Sequence, residues 1–279
     1  MQSEPAGGGI REPSTPEGQA GLTVLLRDPG GALVALDFDG TLAPIVPDPM
    51  DARAHPGAPA ALRRLSGRIG TLAVITGRPA AVAVELGGLG DVPGIVVLGH
   101  YGVERWESGV LSAPATPPGL AKARAELPTV LTAAGAHPGT WIEDKGRSLA
   151  VHTRRADDPD GALALIRAPL TALAERTGLV EEPGRMVIEL RPPGMDKGAA
   201  LTNLVAERRS RAVLFCGDDL GDLAAFRTVR ELRSAGIAGV TVCSGSAEVT
   251  ALAEAADLVV DGPDGVVALL GAIAVALGG

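Results

Sequence analysis

The stretch "GGALVALDFDG", residues 30–40, decides how the rest of the chain is read. It is apolar from Ala32 to Leu36, then meets two aspartates, Asp37 and Asp39, and a glycine, Gly40. A short apolar run closed by a glycine turn is the pattern of a strand buried on both faces, as in a parallel sheet. Residues two apart on a strand point the same way, so both carboxylates can converge where the strand gives out. Carboxylates forced together repel, and a bound cation is the usual remedy. The first expectation is therefore a metal site at a strand end.

Working outward, further apolar runs follow: "TLAVI" (71–75), "GIVVL" (94–98), "AVLFC" (212–216), "GVTVC" (239–243) and "DLVV" (257–260). Between most of them lie segments with helical spacing, such as "PGAPAALRRLSGR" and "DKGAALTNLVAERRS". Strands alternating with helices predict βαβ units and a doubly wound parallel sheet. Such sheets bind ligands at the carboxyl ends of their strands. The polar clusters sit there: Asp37 and Asp39, then "TGR" (76–78), then "GDD" (217–219).

The middle reads differently. "TWIEDKGRSLAVHTR" (140–154) predicts two strands around a Lys-Gly turn, and "LVEEPGRMVIELRP" (179–192) two more around Pro-Gly. Helical segments precede each pair, with Pro128 and Pro169 expected to interrupt them. The expected organisation is a disordered tail over 1–20, a core from 21–107 and 192–279, and an inserted α-β-β-α-β-β cap over 108–191.

Composition narrows the function. A net charge of −8 argues against nucleic acid or an anionic membrane as the main partner, and 2% aromatic residues leave little for stacking on bases. The apolar C-terminal stretch is too short and glycine-rich to span a bilayer and is expected as a closing helix. The start of the chain lacks a basic segment followed by an apolar one, so no signal peptide is expected. The two cysteines, Cys216 and Cys243, end apolar runs and read as small buried side chains. A reducing, cytoplasmic setting follows as the default.

Four stations stand in order: "DFDGTL" from 37, "ITGRP" from 75, "DKG" from 196 and "GDDLGD" from 217. Together they resemble the haloacid dehalogenase superfamily of phosphotransferases, from about Leu33 to the end of the chain. The resemblance implies that Asp37 is the nucleophile and Asp39 the general acid and base. It implies that Mg²⁺ is held by Asp37, the Asp39 carbonyl and Asp218, with Asp222 behind them. Thr76 and Lys197 would hold phosphoryl oxygens, with Thr41, Gly77 and Arg78 as further substrate contacts. The chemistry is consistent with these roles. Phosphate monoesters hydrolyse so slowly that a site must supply on the order of 20 kcal/mol, and a carboxylate nucleophile divides the task. An all-oxygen donor set suits Mg²⁺. Each station alone is a commonplace turn or helix start. Asp219 and Asp222 also read as helix N-terminal carboxylates.

The insert narrows the resemblance to trehalose-6-phosphate phosphatases, whose Glu-x-Lys-x₂-Ser…His-x-Arg and Glu-x-Arg-Pro…Asp-Lys-Gly runs are similar to those here. By that resemblance Glu143, Lys145 and Glu189 bind sugar hydroxyls, and His152 and Arg154 also fit the pattern. Two departures stand out. Leu223 occupies a position where the family carries a carboxylate, and Tyr101 in "GHYG" (99–102) stands where it carries His. The expected reaction is Mg²⁺-dependent hydrolysis of trehalose 6-phosphate. The alternatives are another ester of the sucrose-phosphate or glucosylglycerol-phosphate type, a phosphomutase, or a non-catalytic sugar-phosphate sensor.

Overall fold

A computed structural model describes residues 9–245 and 250–278. The chain divides into two compact units, one formed by residues up to Ala113 and from Asp196 onward, the other by Pro114–Met195. Along the chain the first unit runs α1 (Pro16–Arg27), β1 (Ala32–Leu36), α2 (Ala58–Leu65), β2 (Thr71–Ile75), α3 (Ala80–Gly87), β3 (Ile95–Gly99), β4 (Glu104–Glu107) and β5 (Val110–Ser112). The second unit holds α4 (Pro118–Ala133), β6 (Trp141–Asp144), β7 (Leu149–His152), α5 (Pro159–Thr177), β8 (Val180–Gly184) and β9 (Val187–Arg191). The chain then returns through α6 (Lys197–Arg208), β10 (Ala212–Gly217), α7 (Leu223–Ser234), β11 (Ala238–Gly245), α8 (Thr250–Ala255), β12 (Leu258–Asp261) and α9 (Gly262–Ala276).

The large sheet has the order β12-β11-β10-β1-β2-β3-β4-β5. It is parallel from β12 to β3, and β4 and β5 extend it as an antiparallel edge. Strand β1 lies between β10 and β2, so the order reverses about it and opens a crevice at the carboxyl ends. Every residue of β1 is buried, and successive ones alternate between two cores. Ala32, Val34 and Leu36 face one side, with Leu25 of α1, Leu62 of α2, Ala83 of α3 and Ile273 of α9. Leu33 and Ala35 face the other, with Leu201 of α6, Phe226 of α7 and Leu252 of α8. This is the α/β doubly wound core that the runs predict, closed by α9 as expected.

Four expectations of the fold need correction. The tail does not stay unstructured through residue 20: α1 begins at Pro16, capped by Thr15, whose side chain accepts from the Gly18 N–H. Proline at the first helical position and threonine before it start a helix that the Gly/Pro/Ser composition hid. Gly21 then lets α1 approach closely, since a Cβ there would lie 2.1 Å from the Gly239 carbonyl oxygen. The expectation for residues 1–8 lies outside the described residues. Second, a boundary at 108 would cut the β4–β5 hairpin, which belongs to the large sheet. Third, the second hairpin of the insert turns at Arg185–Met186 and not at Pro-Gly, because Gly184 pairs with Val187. Pro183 is tolerated within β8 because that strand is an edge.

The small unit is an antiparallel sheet, β6-β7-β9-β8, packed against α4 and α5. Fourth, Pro128 and Pro169 do not interrupt the helices as expected but lie inside helices that run through them. An internal proline costs about 3 kcal/mol. The flanking turns are held by Leu127 and Leu131 in α4 and by Ile166, Leu170 and Leu173 in α5, all in one core. Among the described residues no helix is long and apolar enough to cross a membrane.

Candidate active site

Asp37 continues the row of Leu33 and Ala35, so the strand's alternation sends it toward the side of the sheet covered by α6 and α7. Its backbone N–H bonds the Cys216 carbonyl of β10, which fixes it beside Asp218. Lys197 opens α6, whose N-cap is Asp196, accepting from the Ala199 N–H at 2.8 Å. The Lys197 ammonium lies 2.7 Å from Asp37 Oδ1 and 2.7 Å from Asp222 Oδ1. Carboxylate oxygens of Asp37, Asp218 and Asp222 lie within 4.8 Å of one another, and all three residues are buried.

Asp222 has the helix-terminal role that its sequence allowed. It forms a capping box with Asp219, and its Oδ2 accepts from the N–H groups of Asp218 and Asp219. Gly217 makes this possible, because a Cβ there would sit 2.3 Å from Asp222 Cγ. With its oxygens committed to Lys197 and the backbone, Asp222 fits behind a cation, while Asp37 and Asp218 present carboxylate oxygens for direct ligation.

Burial pushes the Asp37 carboxyl well above the ordinary range, with Asp222 and Asp218 adding to the rise and Lys197 opposing it. Burial and the neighbouring acids carry Asp218 up to about 7. Asp222 is raised too, chiefly by burial, against the pull of Lys197. Burial disfavours the Lys197 charge, yet Asp222 and Asp37 outweigh it and hold the ammonium above its ordinary value. Three buried carboxylates thus face one lysine, an excess of negative charge that a hard divalent cation would offset.

Gly40 follows Asp39 at φ 69°, and a Cβ there would lie 1.9 Å from Asp218 Oδ2. Only glycine fits against that carboxylate. The Gly40 carbonyl accepts from Ser244 Oγ at 2.7 Å, a fully buried tie from β11. Ser244 was not among the expected residues, although a polar side chain at the carboxyl end of an apolar strand was the available signal. Thr41 is fully buried, and its hydroxyl has no hydrogen-bond partner among the described residues. Thr76 is buried at the end of β2, and its Oγ1 accepts from the Arg78 N–H. A hydroxyl used in that way still has its own proton to donate. Gly77 faces Tyr101, whose hydroxyl oxygen lies 2.7 Å from the position of a Cβ at Gly77. His100 and Tyr101 both adopt left-handed backbone, at φ 47° and 57°, and their N–H groups bond the carbonyls of Arg78 and Thr76. Arg78 does not stand open as a substrate ligand. It holds Asp39, with Nε 2.7 Å from Oδ2 and Nη2 2.5 Å from Oδ1.

In the small unit, Glu143, Ala150, Glu189 and Glu182 form one row across the sheet, opposite the helix-packed residues Val151 and Ile188. Lys145 Nζ lies 3.0 Å from Glu189 Oε2, and Glu143 Oε2 lies 2.8 Å from His152 Nε2. Glu189 is buried, and its Oε1 has no hydrogen-bond partner among the described residues. The His152 ring stacks on Trp141, and the Arg155 guanidinium lies over the same indole, 4.5 Å from its centroid. Arg154 is exposed in the turn that follows β7.

A reversing parallel sheet with an Asp-x-Asp strand end, a buried lysine and an acid cluster is the arrangement of a haloacid dehalogenase-like fold. The family model for trehalose-phosphatase matches residues 35–259. The chain belongs to the trehalose-phosphatase family, which makes it a phosphoric monoester hydrolase. It is 34% identical over 221 residues to a probable trehalose-phosphate phosphatase of Sinorhizobium fredii, covering 77% of this chain and 80% of that one. It is 39% identical over 215 residues to a trehalose-phosphate phosphatase of Mycobacterium avium, covering 71% of this chain and 51% of the relative. The chain thus spans about half the length of the mycobacterial relatives it matches. Its fold is similar to the C-terminal domain of the Candida albicans trehalose-6-phosphate phosphatase, with TM-score 0.73, 22% identity, and coverage of 95% and 98%. It is also similar to a haloacid dehalogenase-like hydrolase from Bacteroides thetaiotaomicron, with TM-score 0.56, 18% identity, and coverage of 86% and 98%.

Proposed function

We propose that the chain hydrolyses trehalose 6-phosphate to trehalose and phosphate in the presence of Mg²⁺. The observation that carries this reading is the extent of the family match, which runs from residue 35 to 259 and so takes in the small unit as well as the parallel sheet.

Asp37 attacks phosphorus and forms an aspartyl-phosphate, which divides one difficult displacement into two. Asp39 gives a proton to the departing sugar oxygen, then takes one from the water that attacks the intermediate. Lys197 and the Thr76 hydroxyl hold phosphoryl oxygens, joined by backbone N–H groups about Gly40 and Gly77 and by Thr41. Asp37, the Asp39 carbonyl and Asp218 would hold Mg²⁺, with Asp222 behind them. When bound, the cation supplies positive charge to the phosphoryl oxygens. Glu143, Lys145, Glu189 and Arg154 contact the sugar. A cytoplasmic setting suits a chain whose cysteines are buried free thiols.

The test is a panel of sugar phosphates assayed for released phosphate with Mg²⁺ present. Trehalose 6-phosphate should give the highest kcat/KM by at least about tenfold, the scale of one lost hydrogen bond to a charged group. Preference for sucrose phosphate or glucosylglycerol phosphate would replace the substrate, and transfer to a sugar hydroxyl without phosphate release would replace the reaction.

A further inference from the structure

Arg78 ends the "TGR" stretch, where a guanidinium is readily taken for a phosphate ligand. Each of its three nitrogens already donates to a protein oxygen. Nε and Nη2 grip the two oxygens of Asp39 at 2.7 and 2.5 Å, and Nη1 donates to the Pro49 carbonyl at 2.7 Å. The guanidinium also lies 5.4 Å from the centroid of the buried Phe38 ring, and its side chain is only 11% exposed. Its main chain is fixed as well, since the Arg78 carbonyl accepts from the His100 N–H at 2.9 Å. His100 and Tyr101 hold that turn in left-handed backbone, a conformation that non-glycine residues keep only where the surroundings impose it.

We infer that Arg78 is a positioning residue for Asp39, setting the orientation of the acid–base carboxylate instead of binding the phosphoryl group. A planar fork matched to both oxygens fixes the carboxylate's plane as well as its place, which a lysine ammonium does not. A carboxylate has about four acceptor positions, and the fork takes one on each oxygen. One lone pair per oxygen stays open to the water or leaving group that Asp39 serves. This assignment rests on the proposed role of Asp39 in a phosphomonoesterase, and not on the identity of the sugar.

The experiment uses p-nitrophenyl phosphate as substrate and inorganic phosphate as a binding probe, both with Mg²⁺. Arg78→Ala should lower kcat by about tenfold to a hundredfold, a share of the 10²–10⁴ that a positioned acid–base group contributes. The dissociation constant for phosphate, read by calorimetry, should move less than about twofold. Arg78→Lys should recover part of kcat, and Arg78→Ala made in an Asp39→Asn background should cost nothing further. If Arg78→Ala instead weakens phosphate binding by tenfold or more, or costs the same factor with Asp39 already replaced, Arg78 binds phosphate and the inference is wrong. Unchanged kcat in a folded Arg78→Ala protein would overturn it as well. Phosphate binding needs no turnover, so it decides between the roles even where the double variant is too slow to assay. A wild-type enzyme that cleaves the aryl ester but not trehalose 6-phosphate would revise the substrate and leave this assignment standing.

Discussion

The Lys197 ammonium lies 2.7 Å from Asp37 Oδ1, with the two side chains 5% and 6% exposed. The same ammonium reaches Asp222, so one buried cation serves two acids drawn from strand and helix ends far apart in sequence. Removing one partner of a buried ion pair leaves an uncompensated charge and costs about 3–5 kcal/mol. Lys197→Ala should therefore lower the unfolding free energy, read by denaturant titration, by that order, and Mg²⁺ should restore more stability to the variant than it gives the wild type. A variant that unfolds at the wild-type midpoint without added metal would mean that the pair is weak.

Asp37→Asn tests the nucleophile. The substitution keeps the size of the side chain and removes the attacking oxygen's charge, so turnover should fall by several orders of magnitude. The circular-dichroism spectrum should be unchanged. Phosphate release within tenfold of wild type from the folded variant would take the nucleophile's role away from Asp37.

Chelation tests the metal. Exhaustive treatment with EDTA should abolish phosphate release, and Mg²⁺ should restore it, because the buried donors are all carboxylate oxygens and the cysteines are inert thiols. Burial pushes Cys216 well up and Cys243 up to about 11, which removes both as thiolate ligands near neutral pH. Full turnover in protein shown to be metal-free would contradict the proposed chemistry.

The parallel strands of the large sheet were legible because each is built on an apolar run, and the polar stations were legible because they stand where those runs stop. Local signals failed where a distant partner decides the outcome. Helix α1 looks like a disordered tail until Asp257, some 240 positions away, accepts from Ser14 and Thr15. The grip of Arg78 on Asp39 spans 39 positions and leaves no mark in either motif. The expected boundary at 108 separated β4 from β5, because nothing local marks the short edge strand β5 as part of the large sheet. The charges of β4 are paired with the end of α6, Arg105 with Glu207 and Glu107 with Arg208. The row of Glu143 and Glu189 was anticipated only through resemblance, since exposed strand charges are ordinary.

Asp257 gives the fold an acid-sensitive lock. Burial alone would raise its pKa, but the Arg233 guanidinium, the Thr15 hydroxyl and the Thr241 N–H and hydroxyl outweigh that and hold it below the ordinary carboxylate value. A depressed folded-state pKa contributes stability above the unfolded value, about 3.9, and loses it as pH falls through the lower folded value. The gap in melting temperature between wild type and Asp257→Asn should be full at pH 7 and shrink below about pH 4. A gap of the same size at pH 7 and pH 3 would show that the ionised carboxylate contributes nothing.

Glu189 carries the prediction on specificity. It is 7% exposed, its Oε2 is held by Lys145, and its Oε1 is buried without a hydrogen-bond partner among the described residues. A buried acceptor left unpaired costs about 1–3 kcal/mol, which a sugar hydroxyl donating to it would recover. Glu189→Ala should then lower kcat/KM for trehalose 6-phosphate by about tenfold to a hundredfold, the roughly 1.5–3 kcal/mol of a hydrogen bond to a charged group read as a rate. Lys145→Ala should lose a similar factor by releasing Glu189 from its place. On p-nitrophenyl phosphate, which has no sugar, neither variant should lose more than about twofold, because remote contacts do not touch the phosphoryl chemistry. Equal losses on both substrates would make the pair a support of the fold. No loss on either would return Glu189 and Lys145 to an ion pair on a sheet face with no part in recognition.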